Sequence, residues 1–325
     1  MTMNLSSFLQ WRINIYLYLT FGWGVARMVI FLFCTLYFFF NRKEKGRIKD
    51  AVSEGMGRYD QETNMGVVTK RVLHGVYSHY YEKLFIAFER PKKAAAFLNH
   101  HVDTMDLEIL EKSLSKGNGV ILVTGHYGAI EYIPTLLAIN GFSVSMIAKF
   151  KTEQLRRKVF SQAKSYNIRL IDANNTKNVI AIAFNELKKN QVLITQCDEI
   201  EEWKPSKREK TSFLGRTTGL DRSINIIQKR TGAEVVFGVI HRYNLEEYKL
   251  MMRDTEQMLL RCGHESPLSV GEAVLRLLEQ FIYANPEQWY QWKKYLDIET
   301  PSSRSNRVRK LGSGLHLKPA LGIAQ

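Results

Sequence analysis

Residues 120–131 read Val120-Ile121-Leu122-Val123-Thr124-Gly125-His126-Tyr127-Gly128-Ala129-Ile130-Glu131. Five β-favouring residues without a polar interruption describe a strand buried on both faces, and such strands belong to parallel sheets covered by helices. Two glycines then bracket a histidine in a turn, and a helix start follows. Outward from this stretch, short β-rich runs recur at 143–149, 169–172, 192–196 and 234–240, separated by amphipathic helical patterns, with 248–252 as a further edge strand. This alternation predicts right-handed βαβ units, hence an α/β fold with a mixed, mainly parallel sheet flanked by helices. In such sheets chemistry gathers at the carboxyl ends of strands, where His126 falls.

Upstream, residues 49–116 read as helix, because Val67, Val68, Val72, Tyr77, Tyr80, Tyr81 and Leu84 recur at spacings of three and four. Earlier still, residues 13–40 are apolar and aromatic with Arg27 as the one charge, and Asn41-Arg42-Lys43-Glu44-Lys45-Gly46-Arg47 follows at once. That length exceeds the roughly 20 residues that cross a bilayer. The run ends in Phe38-Phe39-Phe40 and a basic cluster rather than a small-residue cleavage site, so it reads as a retained anchor with the following domain on the cytoplasmic side. Trp11, Tyr16, Tyr18, Trp23 and Tyr37 favour the interface, so a helix lying in the headgroup region competes with a full span, and the core helix of a soluble protein is the plainer third reading. Residues 301–325, rich in Ser and Arg, predict a flexible basic extension touching anionic lipid. The expected organisation is a membrane anchor with its basic flank over 1–48, one α/β domain over 49–298, and a tail over 299–325.

The formal charge of +14 in 325 residues favours anionic partners. An anionic membrane face and an acidic carrier are expected, and nucleic acid is not. Cys34, Cys197 and Cys262 are scattered and carry no Cys-x-x-Cys spacing, which fits a reducing compartment and gives neither a disulfide framework nor a zinc ribbon. Gly-x-Ser-x-Gly, Gly-x-Gly-x-x-Gly, Gly-x-x-x-x-Gly-Lys-Ser/Thr and His-Glu-x-x-His are all absent, which removes the usual supports for a serine hydrolase, dinucleotide or nucleoside triphosphate binding, and a zinc hydrolase.

A histidine at the end of a buried strand is held rigidly while open to substrate, as a general base requires. On a regular helix five positions turn about 500°, so His126 and Glu131 meet only if His126 is in the turn and Glu131 in the first helical turns. Glu131 would then accept from one imidazole nitrogen and leave the other to take a proton. A satisfied structural histidine is the plain alternative.

Residues 124–131 resemble the catalytic His-x4-Glu motif of the late acyltransferases of lipid A biosynthesis (lauroyl/myristoyl type), a branch of the lysophospholipid acyltransferase-like superfamily. Lys149 after the next strand, Phe213-Leu214-Gly215-Arg216-Thr217-Thr218, and Pro286-Glu287-Gln288-Trp289-Tyr290-Gln291-Trp292 follow in the family's order, so the resemblance extends to about residue 295. Ala129-Ile130 stand where the family has Asn-Trp, Lys149 where Arg is common, and Gln196-Cys197-Asp198-Glu199 where an Asp-Gln pair is usual. The resemblance therefore bears on the chemistry more than on the acceptor.

It implies a glycerol-3-phosphate acyltransferase-like fold and acyl transfer from acyl carrier protein or acyl-CoA to a lipid A precursor or other glycolipid, at the cytoplasmic face of the inner membrane, with no cofactor or metal. His126 and Glu131 would be catalytic, and Gly125, Tyr127, Gly128, Lys149, Asp198, Gly215, Arg216 and Thr218 would bind substrate. Oxyanion donors would come from backbone N–H groups of the 125–128 turn or from Lys149. Lys149, Arg216 and Lys204, Lys207, Arg208 and Lys210 are candidates for phosphate neutralisation. Two competitors remain: an acyltransferase of glycerol-phosphate lipids, whose second dyad residue is usually Asp, and an inactive membrane-tethered lipid-binding protein.

Overall fold

The computed structural model describes residue 9 and residues 12–57, 59, 64–150, 152–201, 205–262 and 268–298. Trp11, Lys204 and the basic tail lie outside these residues. In chain order the elements are α1 (Arg12–Phe21), α2 (Trp23–Phe40), α3 (Arg42–Gly57), α4 (Met65–Phe88), α5 (Pro91–His101), β1 (Val102–Asp103), α6 (Leu107–Leu114), β2 (Val120–Thr124), α7 (Ile133–Ile139) and β3 (Val144–Ala148). They continue with α8 (Glu153–Ser165), β4 (Arg169–Asp172), α9 (Val179–Lys188), β5 (Val192–Gln196), β6 (Pro205–Phe213), β7 (Arg216–Asp221), α10 (Ser223–Thr231), β8 (Glu234–Asn244), β9 (Glu247–Asp254), α11 (Thr255–Cys262), α12 (Val270–Ala284) and α13 (Trp292–Tyr295).

The main sheet has the order β1-β9-β8-β2-β5-β3-β4. Strands β8, β2, β5, β3 and β4 run parallel, and β9 returns antiparallel on β8. This is the mixed, mainly parallel α/β fold that the strand pattern predicts. Strand β2 is wholly buried because its alternate side chains enter different cores: Ile121 and Val123 pack with Leu193, Val235 and Phe237, while Val120 and Leu122 pack with Val192, Ile194 and Val236. Helices thus cover both faces, which is why the strand reads as a continuous apolar run.

Two expectations need correction. The edge strand at 248–252 is longer and lies one place inside, covered by the two-residue β1. Between β5 and β8 the chain makes more than a helix: β6 and β7 form a separate antiparallel ribbon. Leu214 and Gly215 form its turn with φ of 48° and 77°, the left-handed pair that a two-residue hairpin demands. The strained Leu214 is pinned from both sides, its N–H donating to Glu279 Oε1 at 2.5 Å and its carbonyl accepting from the Tyr295 hydroxyl at 2.7 Å.

Helix α2 is long and apolar enough to cross a membrane by length and composition. It is also two-faced: Ala26, Ile30, Cys34 and Phe38 are buried, and Val25, Met28, Leu32, Leu36, Phe39 and Phe40 are exposed. Its inner side packs on α4, with Phe31 edge-on to His74 and Tyr77, and Trp23 edge-on to Phe85. The expected boundary after residue 48 falls inside α3, whose Ile48, Ala51 and Val52 are buried. Helix α4 begins under an Asn64 cap that accepts from Gly66 N at 2.9 Å, and it is tied to β8 by the buried bidentate pair of Glu82 and Arg242.

Candidate active site

The register of two strands builds the site. Strands β2 and β5 pair in parallel with Thr124 opposite Gln196, and Cys197 N–H still donates to the Thr124 carbonyl at 2.9 Å. Two residues beyond each partner stand His126 and Asp198, brought side by side at the carboxyl ends of the strands. The fully buried Asp198 carboxylate accepts from the His126 ring Nδ1 at 2.8 Å, from the His126 backbone N–H at 3.0 and 3.1 Å, and from the Trp289 indole N–H at 2.6 Å. With its capacity so used, Asp198 fixes the ring as the Nδ1–H tautomer and turns Nε2 outward.

Burial alone would lower the His126 pKa, but the charge and hydrogen bond of Asp198 and the charge of Glu199 outweigh it, against opposition from Lys294, so the net shift is upward. Burial likewise works against ionisation of Asp198, yet His126, Trp289 and the backbone N–H hold it below the ordinary carboxylate value.

Backbone contacts hold the turn shut. Gly128 N–H donates to the Gln288 carbonyl at 2.9 Å, Ala129 N–H to that of Ile240 at 3.0 Å, and Tyr290 N–H to that of His126 at 3.2 Å. Gly128, at φ 55°, lies so close to β8 that a Cβ would stand 1.9 Å from the Ile240 carbonyl oxygen. At Gly125 a Cβ would strike Leu278. These glycines are therefore needed for packing. The N–H groups of His126, Tyr127 and Gly128 donate to Asp198, the Gly125 carbonyl and the Gln288 carbonyl.

His126 opens into a cavity of about 380 Å³. Its wall carries the polar residues Lys83, Glu131, Lys149, Glu199 and Lys294 and the apolar residues Ile86, Met146, Leu155, Val159, Ala163 and Ile168. Phe38 of α2 and Ile48 of α3 also line it. Tyr290 stands edge-on to His126 with ring centroids 5.2 Å apart and stacks on the buried His79 at 3.5 Å. Burial, then Lys83 and Arg242, keeps His79 neutral.

The structure separates the expected site residues into three groups. His126, Glu131 and Lys149 share the cavity, and Asp198 lies beneath His126. Glu131 sits in a short 3-10 turn over Ile130–Tyr132 and pairs with Lys83 at 3.3 Å, so the imidazole partner expected of it is instead Asp198. Tyr127 is fully buried, bonded through its hydroxyl to His241 Nδ1 at 2.9 Å. Gly215, Arg216 and Thr218 belong to the ribbon and do not line the cavity. Arg216 forms a bidentate pair with Glu54 at 2.8 and 2.9 Å, donates to the Leu296 and Ile298 carbonyls, and lies over the Tyr295 ring. Sequence reading missed His79, Lys83 and Lys294, which carry no local pattern, and gave no role to Glu199, which lies in the 196–199 segment. Tyr290 was within view, since it adjoins the Trp289 motif.

A histidine whose ring is held by a buried carboxylate and which lines a cavity with apolar residues in its wall is an arrangement able to take a proton from a substrate with an apolar part. Residues 66–295 match the family of bacterial lipid A biosynthesis acyltransferases, and the chain belongs to that family. No curated protein matches the chain.

Proposed function

We propose that this protein transfers a fatty acyl chain from a thioester, of acyl carrier protein or coenzyme A, to a hydroxyl of a lipid A precursor or related glycolipid. The carrying observation is the His126 ring, held at Nδ1 by buried Asp198, with Nε2 facing the cavity. His126 Nε2 takes the proton as the hydroxyl oxygen bonds to the thioester carbonyl carbon. The C–S bond then breaks, and the imidazolium returns the proton to the departing thiolate. Lys149, which lines the same cavity as His126, is assigned as the donor to the oxyanion. Glu131 fixes Lys83 in the cavity wall. The acyl chain lies along Met146, Leu155, Val159 and Ala163.

Helix α2 would meet the cytoplasmic face of the inner membrane through Val25, Met28, Leu32, Leu36 and Phe39, with Arg42, Lys43 and Lys45 against anionic headgroups. Leu32→Glu combined with Leu36→Glu should shift the protein from the membrane to the soluble fraction on sedimentation. Full retention would refute this contact.

The test of the reaction is mass spectrometry of host lipids with equal levels of wild type, His126→Ala, Asp198→Asn and Glu131→Gln. One lipid class should gain an acyl chain with wild type and not with His126→Ala. If the gain falls on a glycerophospholipid, the acceptor is wrong. If the two profiles are identical, the catalytic reading fails.

A further inference from the structure

Adjacent residues after β5 flank opposite edges of one ring: Asp198 holds Nδ1, and Glu199 Oε2 stands 3.5 Å from Nε2. The two carboxylates differ in how far they are satisfied. Asp198 is buried and saturated, whereas Glu199 is one-third exposed in the cavity wall, with the His126 ring and the Lys294 ammonium at 3.5 and 3.6 Å. A carboxylate accepts about four hydrogen bonds, and neither of these separations is a good one. Lys294 stands between two carboxylates, Glu199 at 3.6 Å and Glu201 at 3.4 Å, and neither distance is that of a good hydrogen bond. Glu199 thus keeps its accepting capacity beside the atom where a hydroxyl must give up its proton.

We propose that Glu199 binds the acceptor. It takes a hydrogen bond from a second O–H or N–H adjoining the hydroxyl that donates to His126 Nε2, and so selects head groups with two neighbouring donors, as sugars and hydroxy amides have, over lipids with a lone hydroxyl. A reacting oxygen about 2.8 Å from Nε2 leaves the carboxylate facing the neighbouring group rather than the reacting one. The reacting O–H has one hydrogen, and the base claims it. A second donor therefore has to satisfy Glu199, and an acceptor without one leaves a charged carboxylate partly desolvated. The proposal rests on the acyl-transfer reading.

The experiment uses the full-length protein with a radiolabelled acyl thioester, and membranes from cells expressing His126→Ala as the source of acceptor. Hexyl glucoside and hexanol serve as competing probes with and without neighbouring donors. Wild type should be inhibited by hexyl glucoside at concentrations about 10–100-fold below those needed for hexanol. In Glu199→Ala that ratio should fall to about one, and the KM for acceptor membranes should rise about 10–100-fold with kcat little changed. Glu199→Gln, a neutral acceptor, should recover part of the KM.

A pH profile tests whether the Glu199 charge acts on His126, while the KM and the probe selectivity test the binding itself. His126 is faced by Asp198 and Glu199 from the β5 loop, Lys294 from α13, Tyr290 from the preceding turn and His79 from α4. Removing the Glu199 charge should move the acid limb of kcat/KM to lower pH, while Glu201→Gln, which shares Lys294, should leave it in place. Equal inhibition of wild type by the two probes, or a Glu199→Ala variant that keeps wild-type KM and selectivity, overturns the proposal. If wild type labels no lipid in a His126-dependent way, the acyl-transfer reading itself falls, and the proposal with it.

Discussion

The loop after β2 and the turn of the β6–β7 ribbon both join glycine to a basic residue at the end of a strand, yet they end in opposite states. At His126 the protein spends one side of the ring on Asp198 and leaves the other facing the cavity. At Arg216 the guanidinium is spent on Glu54, two carbonyls and the Tyr295 ring, which clips the ribbon to α3 and the α13 region. A polar side chain becomes available for chemistry when the fold leaves part of its bonding capacity pointing into a space a ligand can fill. Proximity to a glycine turn does not supply that.

The comparison can be broken at its strongest point first. His126→Ala should lower acyl transfer by about 10²–10⁴-fold in the folded protein, and Asp198→Asn should fall in the same range by losing control of the tautomer. Arg216→Ala should do the reverse. It should cost about 1–3 kcal/mol in denaturant unfolding while the folded fraction keeps the wild-type rate. An Arg216→Ala variant of full stability without activity would return the ribbon turn to the site. Glu131→Gln should lower transfer by about tenfold, less than His126→Ala, because it acts through Lys83. A loss as large as that of His126→Ala would restore Glu131 to the base itself.

The smallest effect is in pH. The base works only when deprotonated, and Asp198 and Glu199 raise its pKa, so kcat/KM should fall as pH drops through a value above the ordinary 6.5 of histidine. Asp198→Asn should move that limb to lower pH, and a limb unmoved would show that another group titrates.

Strands 120–124, 169–172 and 192–196 are observed with the limits the sequence predicts, and the apolar signal is purest in 120–124, which is buried throughout, and weakest in the edge strand 169–172, where Arg169 is exposed. Strand β6 was not legible, because Ser206-Lys207-Arg208-Glu209-Lys210 has neither apolar alternation nor a buried face to impose it. The histidine could be found from a local motif, since strand, turn and helix start are contiguous. Its acid could not. Asp198 is 72 positions away, and what joins the two is the register of β2 on β5, a property of pairing that no local window contains. Glu131, five residues on, was the acid that sequence distance favoured, and its 3-10 turn points it to Lys83 instead.

Helix α2 supplies Phe38, and α3 supplies Glu44 and Ile48, to the wall of the cavity that His126 faces. A chain shortened to begin after residue 48 would therefore be a vessel with one side removed, however well its sheet folded. Preparations meant for crystallisation or inhibitor screening should keep these helices. Surfactants chosen to cover the outer face of α2 need checking as ligands in their own right, since an alkyl chain that reaches Phe38 is already at the wall of the cavity that His126 lines.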